Sequence, residues 1–244
     1  MIDLHCHFLP GIDDGAETLE DGLALARAAA ADGTTFSMLT PHVHPGRYEN
    51  TRSSIEKCFG DFRLALRKAR VPLHIGMAGE VRLSADVVDL LERDEVPFLG
   101  ELHGHRIILL EFPHNQITPG ADKLVERLLK QGIRPLIAHP ERNQDVIRDV
   151  SKIMPFVQMG CFLQLTAGSL IGLFGRPSQR RALELLENDV FKILASDAHN
   201  LTGRQPGLRK GVEAAAKVIG AQAAHDLVNL HPRLILRGAE AAVG

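Results

Sequence analysis

The feature that most constrains this chain is a repeated switch between short β-like runs and helical ones. "IDLH", "TFSMLT", "LHIGMAGEVRL", "RIILLEF", "RPLIAH", "CFLQLT" and "FKILASD" read in order as strand regions. "TLEDGLALARAAAADG" reads as a helix that Thr18 and Asp21 start as a capping box and Gly33 stops. Further helices are expected from about Thr51 to Arg70, through Leu91 with Ser84 as cap, and from Thr118–Pro119 to Gly132. The segment from Pro206 to Leu230 reads as one or two helices on the outside. "RIILLEF" is continuously apolar, as in a strand covered on both faces. Such alternation, with no break in composition, specifies one α/β domain over residues 1–244 with a parallel sheet. Seven strands in 244 residues favour a closed barrel over an open sheet.

The barrel expectation directs attention to the strand ends, because chemistry in such folds sits where strands run into the following loops. Those ends carry His5 and His7, then His42 and His44, Glu80, Glu111, His139, and last Asp197 with His199. His5 and His7 are two apart, so on a strand they point to the same side. Pro10 and Gly11 break that strand, and the turn can bring Asp13 or Asp14 back toward the histidines. Glu111 ends an apolar run, where a carboxylate must be paired, hydrated or coordinating to avoid a large desolvation cost. Each residue alone has an ordinary structural explanation; their shared position calls for a common one.

Imidazoles mixed with carboxylates, without cysteine at the same ends, suit manganese, iron(II) or zinc in a catalytic rather than a structural site. The candidates exceed what one ion needs, so two or three divalent cations sharing them is the expectation. A site of that kind usually hydrolyses its substrate, with a metal-held hydroxide attacking in line.

Composition narrows the partners. The net charge of -2 gives no basic field for nucleic acid or anionic lipid. No apolar run approaches the roughly 18 residues of a membrane span and no leader is evident, so a soluble, cytoplasmic protein is expected. Cys6, Cys58 and Cys161 lack paired spacing, which suits a reducing compartment.

The segments "DLHCHFLPGIDDGA", "TPHVHPGRY", "GEVRL", "LLEFP", "LIAHPER", "QLTAGSLIGLFG" and "ASDAHN", in this order, resemble the PHP (polymerase and histidinol phosphatase) superfamily. Within it the chain is most similar to bacterial capsule-type, metal-dependent tyrosine-protein phosphatases. The resemblance implies a distorted TIM-like (β/α)7 barrel with a manganese-preferring, usually trinuclear site. It assigns His5, His7 and Asp197 to one metal, with Glu80 bridging to a second that Glu111 and His139 complete. Asp14, His42 and His199 would hold the third. Arg142 and Arg204 match phosphate-facing arginines, a role that guanidinium forks suit. One departure is visible: Val43 separates His42 from His44 where the family often has adjacent histidines. His42 keeps the expected offset from Pro41, and His44 has no assigned role.

The implied reaction is phosphomonoester hydrolysis, with a phosphotyrosine-bearing tail of a tyrosine autokinase in capsule or exopolysaccharide export as substrate. Thiol chemistry is excluded, because the phosphate-cradling loop needs Arg six positions after the nucleophilic Cys. Those positions here are Ile12, Leu64 and Ala167. Cys6, between two candidate ligands, faces the opposite side of its strand and is expected to pack in the core. Alternatives are a histidinol-phosphate phosphatase or phosphodiesterase of the same superfamily, an amidohydrolase-type C–N hydrolase, and a metal-binding scaffold without activity. Oligomeric state is open.

Overall fold

A computed structural model describes residues 1–188 and 190–241. Its strands are β1 (Ile2–Cys6), β2 (Phe36–Leu39), β3 (His42–Val43), β4 (His74–Met77), β5 (Glu80–Arg82), β6 (Gly100–Leu102), β7 (His105–Glu111), β8 (Ile133–Ala138), β9 (Phe162–Thr166) and β10 (Lys192–Ala195). The helices are α1 (Leu19–Asp32), α2 (Arg52–Lys68), α3 (Asp86–Glu92), α4 (Ala121–Lys130), α5 (Gln144–Arg148), α6 (Met154–Gln158), α7 (Ala167–Leu170), α8 (Gly175–Glu187), α9 (Arg209–Ile219), α10 (Ala221–Asp226) and α11 (Leu230–Ala241).

The strands join into one ring of parallel staves. β1 pairs β2 and β2 pairs β4, while β3, β5, β7, β8, β9 and β10 pair successively in a second sheet. β2 runs on into β3, and β4 into β5, so two staves pass from one sheet to the other. The ring closes between β1 and β10 through a parallel bridge of Cys6 with Ala198. There Asp197 N donates to His5 O at 2.8 Å and His7 N to Ala198 O at 2.9 Å. The seven expected strand regions are therefore the seven staves of a distorted (β/α)7 barrel. An α/β barrel whose sheet is split in this way differs from the regular eight-stave form by its interrupted second and third staves.

Alternation along the staves separates two layers of core. On β7, Ile107 and Leu109 join an inner cluster to which every stave contributes, including Leu4, Met38, Ala78, Leu136, Phe162 and Ile193. Ile108 and Leu110 face the other way and pack with helix residues such as Val125 and Leu128. The continuous run "IILLE" is thus covered on both faces. Glu111 continues the inward parity of Ile107 and Leu109, and so emerges at the carboxyl end of the barrel interior.

Local signals explain most helix ends. Thr18 and Asp21 cap α1 reciprocally, and Gly33 ends it at φ 100°. Thr51 caps α2 with Ser54 as partner. Two expectations shift. Ser84 does not cap α3; its hydroxyl lies 3.2 Å from Asp86 Oδ2, and Ala85 occupies the cap position without a side-chain bond. The helix expected from Thr118–Pro119 begins two residues later at Ala121, because Gly120 at φ 84° lies outside the helical conformation.

Beyond the expected helices α9 and α10 lies α11, which packs on β6 at the amino-terminal end of the barrel. β6 is the one strand paired antiparallel, to β7, among the described residues. Ile235 of α11 is fully buried in the inner cluster and plugs the end opposite the histidines. No described helix is long and apolar enough to cross a membrane.

Candidate metal centre

The predicted residues come together at the carboxyl ends of the staves. His5 and His7, either side of Cys6, present Nε2 atoms 3.1 Å apart. His5 Nε2 lies 3.3 Å from Glu80 Oε2 and 3.2 Å from Asp197 Oδ1, and His7 Nε2 lies 3.4 Å from each of the same atoms. All four side chains are essentially buried. Four donors at these separations match the edges of one coordination sphere, because two atoms each about 2.1 Å from an ion stand about 3–4 Å apart.

Glu80 serves two sides. While Oε2 faces His5 and His7, Oε1 lies 2.9 Å from His139 Nε2. His139 Nε2 is also 3.9 Å from Glu111 Oε1, so Glu80, Glu111 and His139 surround a second position. Asp14 Oδ1 is 3.2 Å from His42 Nε2 and 3.6 Å from His199 Nε2, which defines a third. Donor atoms of His7, Asp14, His42 and His199 lie within 4.8 Å of one another; so do those of His5, His7, Glu80 and Asp197, and those of Glu111, His114 and His139. The clusters suit two or three divalent metal ions.

Hydrogen bonds outside the donor set fix the tautomers. His5 Nδ1 donates to Gln164 Oε1 at 2.9 Å, His7 Nδ1 to Asp13 Oδ2 at 2.7 Å, and His199 Nδ1 to the Asp197 carbonyl at 3.0 Å. Each bond holds a proton on Nδ1 and aims Nε2 into the cluster, so that Nε2 is the atom that gives up its proton to a cation, the usual device for orienting metal-binding imidazoles. Buried atoms that find no hydrogen-bond partner are concentrated here: His42 Nδ1, Glu80 Oε2, Asp197 Oδ1 and His199 Nε2. His42 Nδ1 and Glu80 Oε2 lie 3.0 Å apart as a charged pair without hydrogen-bond alignment. Four such atoms in one place fit groups shaped to take cations.

The backbone supports the same reading. His139 and Asp197 have φ of 32° and 52°, in the left-handed region that non-glycine residues seldom occupy. Both stand where a stave ends, and the turn there aims each side chain into the cluster. Asp14 is brought over the mouth by the turn at Gly11, φ 71°, and by Gly15. A Cβ on Gly15 would lie 2.2 Å from the His7 carbonyl oxygen, so only glycine permits that approach.

Charge within the cluster is mutually compensating. Burial opposes ionisation of Glu80 and Asp197, yet both are held well below the usual carboxylate range. His5, His42 and His139 do this for Glu80, and His5, Arg204 and Arg142 for Asp197. Burial likewise opposes protonation of His42, but Glu80 and Asp14 outweigh it and push its imidazole up to about 10. His139 goes the other way: burial, then the Arg142 charge, lowers it to about 3. Burial and the neighbouring His7 bring His199 down to about 4. Glu111 is raised by burial and by the charge on Glu80.

Arg142 and Arg204 both pair with Asp197 Oδ2, Arg204 at 2.7 Å, while Asp197 Oδ1 faces His5 and His7. Both guanidiniums line a cavity of about 240 Å³ above the cluster. The Arg142 guanidinium carbon lies 4.4 Å from the ring centroid of Phe174, in "GLFG", which props it from outside. His44 lies on the same cavity, its ring edge-on to Tyr48 at 6.5 Å, and belongs to none of the donor groups.

Cys6 is fully buried, and its Sγ donates to Met38 O at 3.4 Å. Burial and then Asp3 push the thiol well up, away from a nucleophilic thiolate. Sequence reasoning weighed Asp13 and set it aside for Asp14, and passed over Gln164, Arg82 and His114. Asp13 stands next to the chosen Asp14 in sequence, and only the loop's path separates their roles. Gln164 followed the inward parity of Phe162 and was findable on that ground. Arg82, whose Nη1 donates to Glu111 Oε2 at 2.9 Å, sits directly across the ladder from Glu111.

Fold and site together define a distorted α/β barrel with overlapping His–carboxylate donor groups at one mouth. The chain belongs to the CpsB/CapC family of capsular polysaccharide synthesis, which it matches over residues 1–237. It is 34% identical over 238 residues to the tyrosine-protein phosphatase YwqE of Bacillus subtilis, covering 97% of this chain and 92% of that one. It is 30% identical over 245 residues to the tyrosine-protein phosphatase CpsB of Streptococcus pneumoniae, covering 97% and 98%. A solved structure, described under YwqE and CpsB as "unique metal-dependent tyrosine phosphatases", superposes with a TM-score of 0.90 at 32% identity, covering 98% of this chain and 95% of that one.

Proposed function

We propose that residues 1–244 form a single metallophosphoesterase domain that acts as a metal-dependent protein-tyrosine phosphatase in capsule or exopolysaccharide synthesis. The observation that carries the reading is the convergence of buried donor atoms on Glu80, Asp197, His42 and His199, none of them in a well-aligned hydrogen bond, beneath two arginines. His5, His7, Glu80 and Asp197 hold one cation; Glu80, Glu111 and His139 a second; Asp14, His42 and His199 a third. Manganese is the ion the family resemblance implies, with iron(II) or zinc, which the imidazoles also suit, as substitutes. Divalent cations bound there supply a nucleophile active at neutral pH and Lewis-acid stabilisation of the phosphoryl oxygens.

The chain's own groups do the rest. Arg142 and Arg204 turn their forks to the phosphoryl oxygens and spread the charge that develops on them. Asp13, Gln164 and the Asp197 carbonyl keep the imidazole protons on Nδ1, so that the Nε2 atoms remain donors throughout. A phenolate leaving group, with a conjugate-acid pKa of about 10, asks for modest protonation on departure. The substrate is a phosphotyrosine in a flexible tail of a tyrosine autokinase, met in the cytoplasm.

A small-molecule phosphatase on the same barrel would share the metal chemistry, so substrate preference decides between them. Turnover of a phosphotyrosine peptide, a phosphoserine peptide and histidinol phosphate is to be compared on one sample whose metal content is measured. Higher kcat/KM for the phosphotyrosine peptide is expected. Preference for histidinol phosphate would reassign the enzyme, and turnover of none of them by the manganese-loaded protein would leave a binding scaffold.

A further inference from the structure

His114 lies in the loop between β7 and α4, three residues beyond Glu111, and no reading of the sequence singled it out. In the fold it turns back over the end of its own stave. His114 Nε2 lies 3.9 Å from Glu111 Oε1, the oxygen that His139 Nε2 also approaches at 3.9 Å. The three residues offer donor atoms all within 4.8 Å of one another. Two donors each about 2.1 Å from one ion stand no more than about 4.2 Å apart, so each 3.9 Å spacing admits a shared ion with its two donors at a wide angle. The rings of His114 and His139 are 5.5 Å apart at 45°, which rules out parallel stacking as the reason for their proximity.

The loop is held so as to present this side chain. Gln144 N donates to the His114 carbonyl at 2.8 Å, and Asn143 Nδ2 to the Pro113 carbonyl at 2.7 Å. Asn143 and Gln144 directly follow Arg142, so the segment carrying His139 and Arg142 also fixes the backbone under His114. The imidazole itself has no hydrogen bond among the described residues; its ion-pairing contact is with Glu111 alone. A ring anchored through its backbone, directed at a carboxylate and otherwise uncommitted is arranged as a ligand arm. Its side chain is 49% exposed, so it closes the second position from the solvent side.

We propose that His114 is a further ligand of the second metal position, completing Glu80, Glu111 and His139 with a second imidazole. The inference rests on the metal-dependent reading above and deepens it. With His114 the second position holds two nitrogens and two carboxylate oxygens, the same donor set as the first, and the added imidazole shifts it away from the oxygen-rich set that favours manganese toward ions such as iron(II) and zinc that take nitrogen as well.

The test is metal binding by wild type, His114→Ala and His114→Asp, each stripped with chelator and titrated with Mn²⁺ and separately with Zn²⁺ by calorimetry. Elemental analysis after dialysis gives the ions retained per chain. Wild type is expected to retain two or three ions, and His114→Ala to weaken one stepwise affinity by at least about 10–100-fold while leaving the others unchanged. The loss should be larger for Zn²⁺ than for Mn²⁺, and His114→Asp should recover the Mn²⁺ step in part. Unchanged thermal midpoints of the stripped proteins would separate this from misfolding. Equal stoichiometry and affinities in wild type and His114→Ala would overturn the proposal, as would a rise in KM for an aryl phosphate with metal binding intact, which would place His114 against substrate. Wild type that retains no ion at all would instead overturn the metal-dependent reading itself.

Discussion

At the scale of single residues, the neighbours of the donor atoms matter as much as the donors. Asp13 shares its Oδ2 between His7 Nδ1 at 2.7 Å and the His42 backbone N–H at 3.0 Å, so one carboxylate sets a ring and a strand. Asp13→Ala should weaken metal retention by about 10–100-fold without removing any ligand, measurable by titration of the stripped protein. Protonation supplies a second check. In the metal-free protein His5 and His7 are raised by neighbouring carboxylates, although burial opposes it, and His42 reaches about 10. Cations must displace those protons, so binding at pH 7 should release protons, seen as a dependence of the calorimetric heat on buffer ionisation enthalpy. The sign for the metal-free fold follows. A folded-state value for His42 of about 10 against 6.5 contributes stability fully present below pH 6.5 and lost as pH rises toward 10. Affinity for the metal should rise over the same interval.

At the scale of elements, the turn between β1 and α1 carries the third position. Gly11 reverses the chain and Gly15 lets it lie on His7, bringing Asp14 to His42 and His199. Gly15→Ala puts a methyl group against the His7 carbonyl and must displace the loop. The expected result is loss of the ion at the third position with the other sites retained, by elemental analysis. Much of this was legible in sequence, because short motifs at stave ends keep ligand type and order together. Asp14 was distinguished from Asp13 only through resemblance, since spacing leaves either free to return to the histidines. His114 escaped because its position depends on how the loop after β7 folds back, which no periodicity encodes. The antiparallel β6 and the plug α11 escaped for a related reason. β6 is three residues long and takes its identity from pairing with β7 and from Ile235.

At the scale of the whole molecule, the barrel separates stability from chemistry. Inner-cluster residues from every stave and Ile235 fill the amino-terminal end, whereas the carboxyl end holds charge that the fold itself leaves incompletely partnered. Seven staves were readable from hydrophobic runs, but the passage of two staves between sheets was not, because it turns on the short breaks at Thr40–Pro41 and Ala78–Gly79. The division also explains why a cysteine between two ligands is irrelevant to the chemistry. Cys6 faces away from the cluster into the core, so Cys6→Ala should cost some stability and leave turnover intact. The most direct test of the account is turnover of an aryl phosphate by stripped wild type and Cys6→Ala as Mn²⁺ is restored, with bound ions counted in the same tubes. The account predicts no turnover from either protein when stripped, and activity that returns in both as at least two ions per chain are bound. Full activity in the rigorously stripped wild type, or its abolition by Cys6→Ala with metal content unchanged, would contradict it.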